Sequence, residues 1–319
     1  MSTATTGYSE RGNKMHEYYS LSRRIFLVVL AVFFVLLCLS CIVPFLHVLA
    51  LSFSHKIPAT QGKVLLWPLN FNVDTRQIAV GLNFKSYAFV FEKPEFVRAF
   101  LVSIERVLLA GAMTMFVVIV TAYPLSKPNR EFKGRTLYVW FLAVTMLISG
   151  GLIPWYMVIK TMGMLDSIWA LVVPGMAPAF SFLLLLNFYR GLPKSLEESA
   201  FLDGAGHWTI LWRINVPLSM PAIATLSLFT IVGNWNAWFD GLILMQHPRN
   251  YPLQSYMQTL IASTSLQLMT RASSEILKQI SDKTVKSAQI FIGAVPMLLL
   301  YPFLQRYFMM GIVLGSVKE

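Results

Sequence analysis

The stretch Glu198-Ser199-Ala200-Phe201-Leu202-Asp203-Gly204-Ala205, followed by Ile214-Asn215-Val216-Pro217, is an ordered polar island between long apolar runs. Ser195 with Glu198 three residues on has the form of a capping box, in which each side chain satisfies a free backbone N–H of the other residue. Asp203-Gly204 predicts a turn, because glycine takes positive φ without a Cβ clash. From His207 to Asn215, the residues Trp208, Leu211 and Trp212 recur at helical spacing, and Pro217 predicts a stop. Two short helices joined by a tight turn are expected, set between two membrane spans. By helix physics alone this is equally a well-capped loop with no further role.

The rest of the composition fits that setting. The chain is 56% hydrophobic and only 13% charged, roughly half the charged share of a soluble protein. Several apolar runs exceed the length needed to cross about 30 Å of hydrocarbon. The expected fold class is therefore an all-α polytopic membrane protein. The net charge of +11 is explained first by Lys and Arg on cytoplasmic loops. Acidic substrates are the other partner class that such a charge suits. DNA binding through the two short helices fails on location, since both flanks run into membrane spans within a few residues. Cys38 and Cys41 lie three residues apart inside the first apolar run, which suits buried apolar neighbours better than a disulfide or metal site.

Six spans with both termini inside account for the charge pattern. Residues 1–24 read as a cytoplasmic tail ending in Arg23-Arg24, and 25–98 as the first transmembrane helix with an extracytoplasmic segment. That first run is too long for a signal peptide, so it is read as a retained span. Residues 99–319 form a core of five further spans, with the cytoplasmic loop at 190–217. The second span, Ala99–Tyr123, carries Glu105 and Arg106; charges at that depth face protein or water. They make an interhelical contact near the outer end or line a pathway. Lys127, Arg130, Lys133 and Arg135 follow in one short loop, the clearest inside signal. The third span is interrupted at Gly150-Gly151 and Pro154, the fourth at Pro174, Gly175 and Pro178. Breaks at membrane depth are tolerated where protein or water satisfies the freed backbone groups.

The fifth span, Pro221–Met245, contains Asn234, Trp235, Asn236, Trp238 and Asp240. At about 100° per residue, Asn234 and Trp238 share one stripe while Asn236 and Asp240 lie nearly opposite. A helix polar on both sides is enclosed by protein, faces a hydrated cavity, or is locally unwound. Amides, a carboxylate and indole faces together suit a sugar. The same residues also serve as interface anchors and interhelical glue.

The Glu198–Ala205 string closely resembles the cytoplasmic loop of ABC importer permeases: glutamate, two small residues, two variable ones, Asp-Gly-Ala, then Ile-x-x-Pro. Ser199 stands where that family usually has alanine. Ala122-Tyr123-Pro124-Leu125-Ser126-Lys127 is similar to a second family stretch, and Gln305-Arg306-Tyr307-Phe308 with Gly311, Gly315, Val317 and Lys318 to its C-terminal signature. From about Ala99 onward the chain looks like maltose-type carbohydrate permeases of the type I importer fold. With Trp235-Asn236-Ala237-Trp238 it resembles the branch that takes oligosaccharides cut from complex polysaccharides. The resemblance implies a bacterial plasma-membrane subunit paired with a second, similar permease as a heterodimer. It also implies two ATP-binding subunits and an extracytoplasmic solute-binding protein. Glu198, Ser199, Ala200, Asp203, Gly204 and Ala205 would form the surface that couples to the ATPase. Asn234, Trp235, Asn236, Trp238 and Asp240 would line the substrate pathway.

On that reading this subunit holds no cofactor or metal and is not an enzyme. ATP and Mg would sit on the partner, in keeping with the lack of a Gly-rich loop ending in Lys-Ser or Lys-Thr. Two alternatives stand beside it: the same architecture carrying a peptide, amino acid or osmolyte, and an intramembrane enzyme. The enzyme reading lacks a His-Glu-x-x-His motif, a paired intramembrane Asp set and a Gly-x-Ser-x-Gly elbow.

Overall fold

A computed structural model describes residues 21–72, 77–148, 150–262 and 280–316, in two units, residues 1–47 and 48–319. The tail 1–20 and the signature residues Val317 and Lys318 lie outside the described residues. The described part of the first unit is the start of α1 (Leu21–Ser52). Its apolar side chains are exposed on every face, Phe26, Phe33, Leu36 and Ile42 among them. A helix apolar all round suits hydrocarbon. Cys38 and Cys41 are free thiols on that exposed surface rather than buried neighbours.

The second unit opens with an outer elaboration: α2 (Lys56–Thr60), an antiparallel hairpin of β1 (Leu69–Asn72) and β2 (Gln77–Val80), and α3 (Lys85–Phe91). The hairpin is the one departure from an all-helical chain among the described residues. Ser54 Oγ accepts the Leu69 N–H at 3.0 Å, and the His55 N–H donates to Leu69 O at 2.9 Å. His55 caps α2 by accepting the Ile57 N–H on Nδ1. Burial, then the neighbouring Lys56 charge, push this imidazole below its ordinary pKa, so the acceptor nitrogen stays free.

The central element is α4 (Pro94–Ser126). Its buried residues Phe96, Ala99, Ser103, Arg106, Ala110, Thr114, Val118 and Ala122 recur every three or four positions along its whole length. Most are small, which lets neighbouring helices approach closely. Two bent pairs follow. α5 (Arg135–Leu147) and α6 (Leu152–Thr161) are separated at 148–151, where Gly151 has φ +81°. α7 (Ile168–Val172) leads through a tight turn into α8 (Ala179–Arg190), bent by 45°. The short helices α9 (Lys194–Leu202), α10 (His207–Ile210) and α11 (Val216–Leu218) connect α8 to α12 (Met220–Asn236). The chain ends with α13 (Phe239–Leu244), α14 (Leu253–Ala262) and α15 (Asp282–Ser316). Three of these helices are long and apolar enough to cross a membrane alone, and the bent pairs allow up to six crossings. The chain is a multi-pass membrane protein.

At one end of the bundle Val118, Ala122 and Tyr123 of α4 pack with Leu185 and Tyr189 of α8, Leu226 of α12 and Ile210 of α10. At the other end Phe96 and Ala99 of α4 meet Trp235 of α12, Leu253 and Met257 of α14, and Val285 and Ala288 of α15. A third cluster joins Ile159 of α6 and Leu171 of α7 to Leu244 of α13.

The contact of α13 with the start of α14 depends on a glycine. A Cβ on Gly241 would fall 2.2 Å from Ser255 Oγ and 2.8 Å from Pro252 Cδ, whereas one on Gly233 meets nothing within 4 Å. Gly241→Ala is therefore expected to cost about 1–3 kcal/mol by overpacking. It should lower the thermal midpoint of the purified protein, with Gly233→Ala leaving it unchanged.

Candidate functional site

The polar loop forms a rigid double bend. α9 ends in a left-handed turn at Gly204, φ +83°. The Gly204 N–H donates to Phe201 O at 3.0 Å, and the Ala205 N–H donates to Ala200 O at 2.9 Å. This pair of bonds is a Schellman motif, which uses up carbonyls that the helix end would otherwise leave free. Ala200 and Ala205 pack on the core cluster formed by α4, α8 and α12. Small residues at these two sites let the bend sit close to the bundle. Ser199 is exposed, and its hydroxyl turns back to Leu196 O at 3.2 Å.

Two sequence expectations need correction here. The capping box does not form: Pro193 takes the N-cap position with φ −61°, and no side chain caps the helix. The helix starts two residues earlier than the box requires, so Ser195 lies inside its first turn and Glu198 is exposed. Nor does Pro217 stop the second helix. A π-helical turn at Leu211–Asn215 precedes it, and α11 carries Pro217 in its first turn. The widened turn removes the clash that a proline ring makes with the carbonyl four residues back. The sharp bend comes instead at the junction with α12, at 80°.

Glu197, which the sequence reading passed over, holds the loop to the bundle. It pairs with Lys127 at the end of α4 and accepts from Asn215 Nδ2 at 2.9 Å. Asn215 is fully buried. Lys127 Nζ also lies 4.4 Å over the Tyr123 ring, a favourable cation–π placement. Tyr123 OH in turn meets His207 Nδ1 at 3.2 Å. With these ties made, Glu198, Asp203, Leu202 and Trp208 remain outside, Leu202 89% and Trp208 61% exposed.

The second group of candidates surrounds a break between α12 and α13, where Ala237 is extended. In an unbroken helix Asn234 and Asp240 would lie about 120° apart. The break brings both to one guanidinium. Arg106, 3% exposed, donates Nε to Asn234 Oδ1 at 3.2 Å and Nη1 to Asp240 Oδ1 at 3.1 Å, and pairs through Nη2 with Asp240 Oδ2. Of the two readings open for Arg106, the structure supplies the interhelical contact. Glu105, next to it, is exposed.

Asn236, Trp238 and Asp240 line a cavity of about 1040 Å³ walled opposite by Gly150, Gly151, Trp155 and Val158. Asn236 and Trp238 also border a second cavity of about 580 Å³ that reaches Gln254, Gln258 and Tyr301. Trp235 turns away from both. It is buried, donating Nε1 to Gly293 O at 2.9 Å and meeting Phe100 edge to face. Asn234 lines neither cavity: its amide is used by Arg106 and by Thr230 O.

A further residue that the pattern did not single out ties the loop between α6 and α7 to the segment that follows α13. Asp166 has φ +60°, and its carboxylate accepts the N–H groups of Gln246 and His247 at 3.0 and 3.1 Å and pairs with His247 Nδ1. Its own N–H donates to Leu244 O. Burial pushes this carboxyl up, but the hydrogen bonds from His247, with those from Asn250 and Gln246, hold it well below the usual carboxylate range.

No family model matches the chain. Among curated proteins it is 34% identical over 298 residues to the polygalacturonan/rhamnogalacturonan transport system permease protein YtcP of Bacillus subtilis, covering 93% of this chain and 100% of that one. It is 37% identical over 279 residues to Protein LplC of the same organism, covering 87% and 89%. It is 27% identical over 282 residues to the diacetylchitobiose uptake system permease protein NgcG of Streptomyces coelicolor, covering 87% and 83%. A chain from the crystal structure of a bacterial ABC transporter that imports the acidic polysaccharide alginate superposes with a TM-score of 0.80 at 29% identity, covering 91% of this chain and 99% of that one.

Removing the guanidinium from Arg106 leaves Asp240 without its counter-charge beside a cavity. Arg106→Met is expected to cost on the order of 3 kcal/mol, while Arg106→Met with Asp240→Asn recovers most of it. Thermal unfolding of the two purified variants checks this; equal midpoints would contradict the pairing.

Proposed function

Because the chain belongs to the permeases of carbohydrate ABC importers, we propose that its exposed loop is the surface that docks on an ATP-hydrolysing partner. The observation that carries this is the contrast within the loop. Glu197, Asn215, Ala200 and Ala205 are spent on holding it to the bundle, yet Leu202 and Trp208 stand open beside Glu198 and Asp203. Large apolar side chains clustered at the tip of a well-fixed loop are a docking feature rather than a solvated one. In this reading Glu198, Ser199, Asp203 and Gly204 form the open face of the coupling surface, and Ala200 and Ala205 seat it on the bundle. ATP and Mg are bound by two ATP-binding subunits, both termini lie in the cytoplasm, and a second, similar permease completes a heterodimer. An extracytoplasmic binding protein delivers cargo to the opposite face.

The cargo pathway runs along the larger cavity, with Asn236, Trp238 and Asp240 on its wall and Asn234 and Trp235 holding that wall in shape. The cargo we assign is an acidic oligosaccharide. Two of the similar proteins handle uronate polymers, polygalacturonan or rhamnogalacturonan in one case and alginate in the other. The cavity is compatible with such a cargo: Asp240 is the charged residue among those lining it, and Arg106 neutralises it from behind. An anionic sugar therefore meets no net negative wall.

Two measurements test these assignments. Glu198→Arg and Gly204→Val should each lose co-purification with the ATP-binding subunits while the chain still inserts in the membrane. Gly204→Asn should keep it, because asparagine tolerates the left-handed turn. Normal co-purification of the first two variants would remove the loop from the docking role. In proteoliposomes with the binding protein, an oligogalacturonate should stimulate ATP hydrolysis and maltotriose should not; the opposite pattern would reassign the cargo.

A further inference from the structure

The inner end of α4 gathers every element around the loop. Arg135 of α5 donates to Lys127 O at 3.2 Å, and Arg190 of α8 donates to Leu125 O at 3.4 Å. Both satisfy carbonyls at the helix C-terminus, where cations are also favoured by the helix dipole. Lys127 holds α9 through Glu197, and Tyr123 holds α10 through His207. Both arms of the loop are thus fastened to one helix end. Roughly 30 Å away, at 1.5 Å per residue, the same helix holds the cavity wall through Arg106. Its partners there, Asn234 and Asp240, lie on the two sides of the α12–α13 break.

We infer that α4 is the element that carries motion from the loop to the cavity wall, with Glu197 the positioning residue at its inner joint and Arg106 at its outer one. A displacement of the loop cannot reach the α12–α13 break through α12 alone without crossing the 80° bend at Ser219-Met220. The path through α4 is one continuous helix with a charged contact at each end. The Lys127–Glu197 pair is also placed to resist sliding. Lys127 is buried, and Glu197 is bonded on its second oxygen by a buried amide. The pair must move as a unit or break, and breaking leaves a buried charge unpaired.

This inference rests on the docking role proposed above, and the test separates the two. The complete importer is prepared with Cys38 and Cys41 replaced by serine and with Val158→Cys on the cavity wall as a reporter. Its labelling by a membrane-impermeant maleimide is timed with and without ATP plus vanadate; no cargo is required. With wild-type Glu197 the nucleotide should change the labelling rate. Glu197→Ala should still co-purify with the ATP-binding subunits and hydrolyse ATP, yet lose that change. The exchange Glu197→Lys with Lys127→Glu should regain part of it, since Asn215 Oδ1, buried and otherwise unpartnered, can accept from the new lysine. A nucleotide response in Glu197→Ala equal to wild type would overturn the inference. So would loss of the ATP-binding subunits from that variant, or no recovery in the exchange. Failure of the docking role itself would show differently, as a wild-type chain that does not hold the ATP-binding subunits at all.

Discussion

A guanidinium on the buried stripe of a membrane-spanning helix has nowhere to go for water, and its neighbours must be arranged around it. Arg106 is that group. It donates to three acceptors, the Asn234 amide oxygen and both carboxylate oxygens of Asp240. To deliver that pair of acceptors, α12 has to break after Asn236 and α13 has to start in a new direction. The break in turn exposes Asn236 and Trp238 to the cavities on either side. One electrostatic requirement therefore shapes the wall along which cargo is proposed to move. Burying such a pair is weak evidence for stability. Its value here is geometric, since few other arrangements of α4, α12 and α13 satisfy all three groups at once.

The same economy governs the opposite end of α4. A loop proposed to transmit force has to be stiff and yet present an open face. The Schellman turn at Gly204 makes it stiff within itself, and Glu197 and His207 make it stiff against the bundle. Those residues are then unavailable for a partner, which leaves Glu198, Asp203, Leu202 and Trp208 to meet one. Two adjacent glutamates thus have opposite duties, one facing in and one facing out.

Much of this was legible in the sequence because it is local. Gly204 after an aspartate announces a left-handed turn, and the structure has one there. A fifth helix polar on both sides announced that it could not run unbroken through lipid, and the break at Ala237 is one of the outcomes that reasoning allowed. Arg106 was singled out for its charge at membrane depth, but its partner was not, since Asp240 is 134 residues away. Glu197 went unnoticed for the same reason: Lys127 lies 70 residues upstream, and nothing in a local pattern connects them. The capping box fails because Pro193, two places before Ser195, takes over the start of the helix. Trp235 was grouped with sugar-facing residues on composition, whereas its indole N–H is satisfied by the Gly293 carbonyl. Residue type identified the site; only the fold could say which face each residue shows.

The loop is proposed to lie on the inner side of the membrane and to touch the ATP-binding subunit. Leu202, the most exposed of its apolar residues, offers the most direct probe as Leu202→Cys in a chain otherwise free of cysteine. In the assembled importer a short bifunctional maleimide should join position 202 to an ATP-binding subunit, and an impermeant maleimide added to intact cells should leave it unlabelled. Ready labelling from outside, or a position 202 that joins to no other polypeptide, would contradict the account.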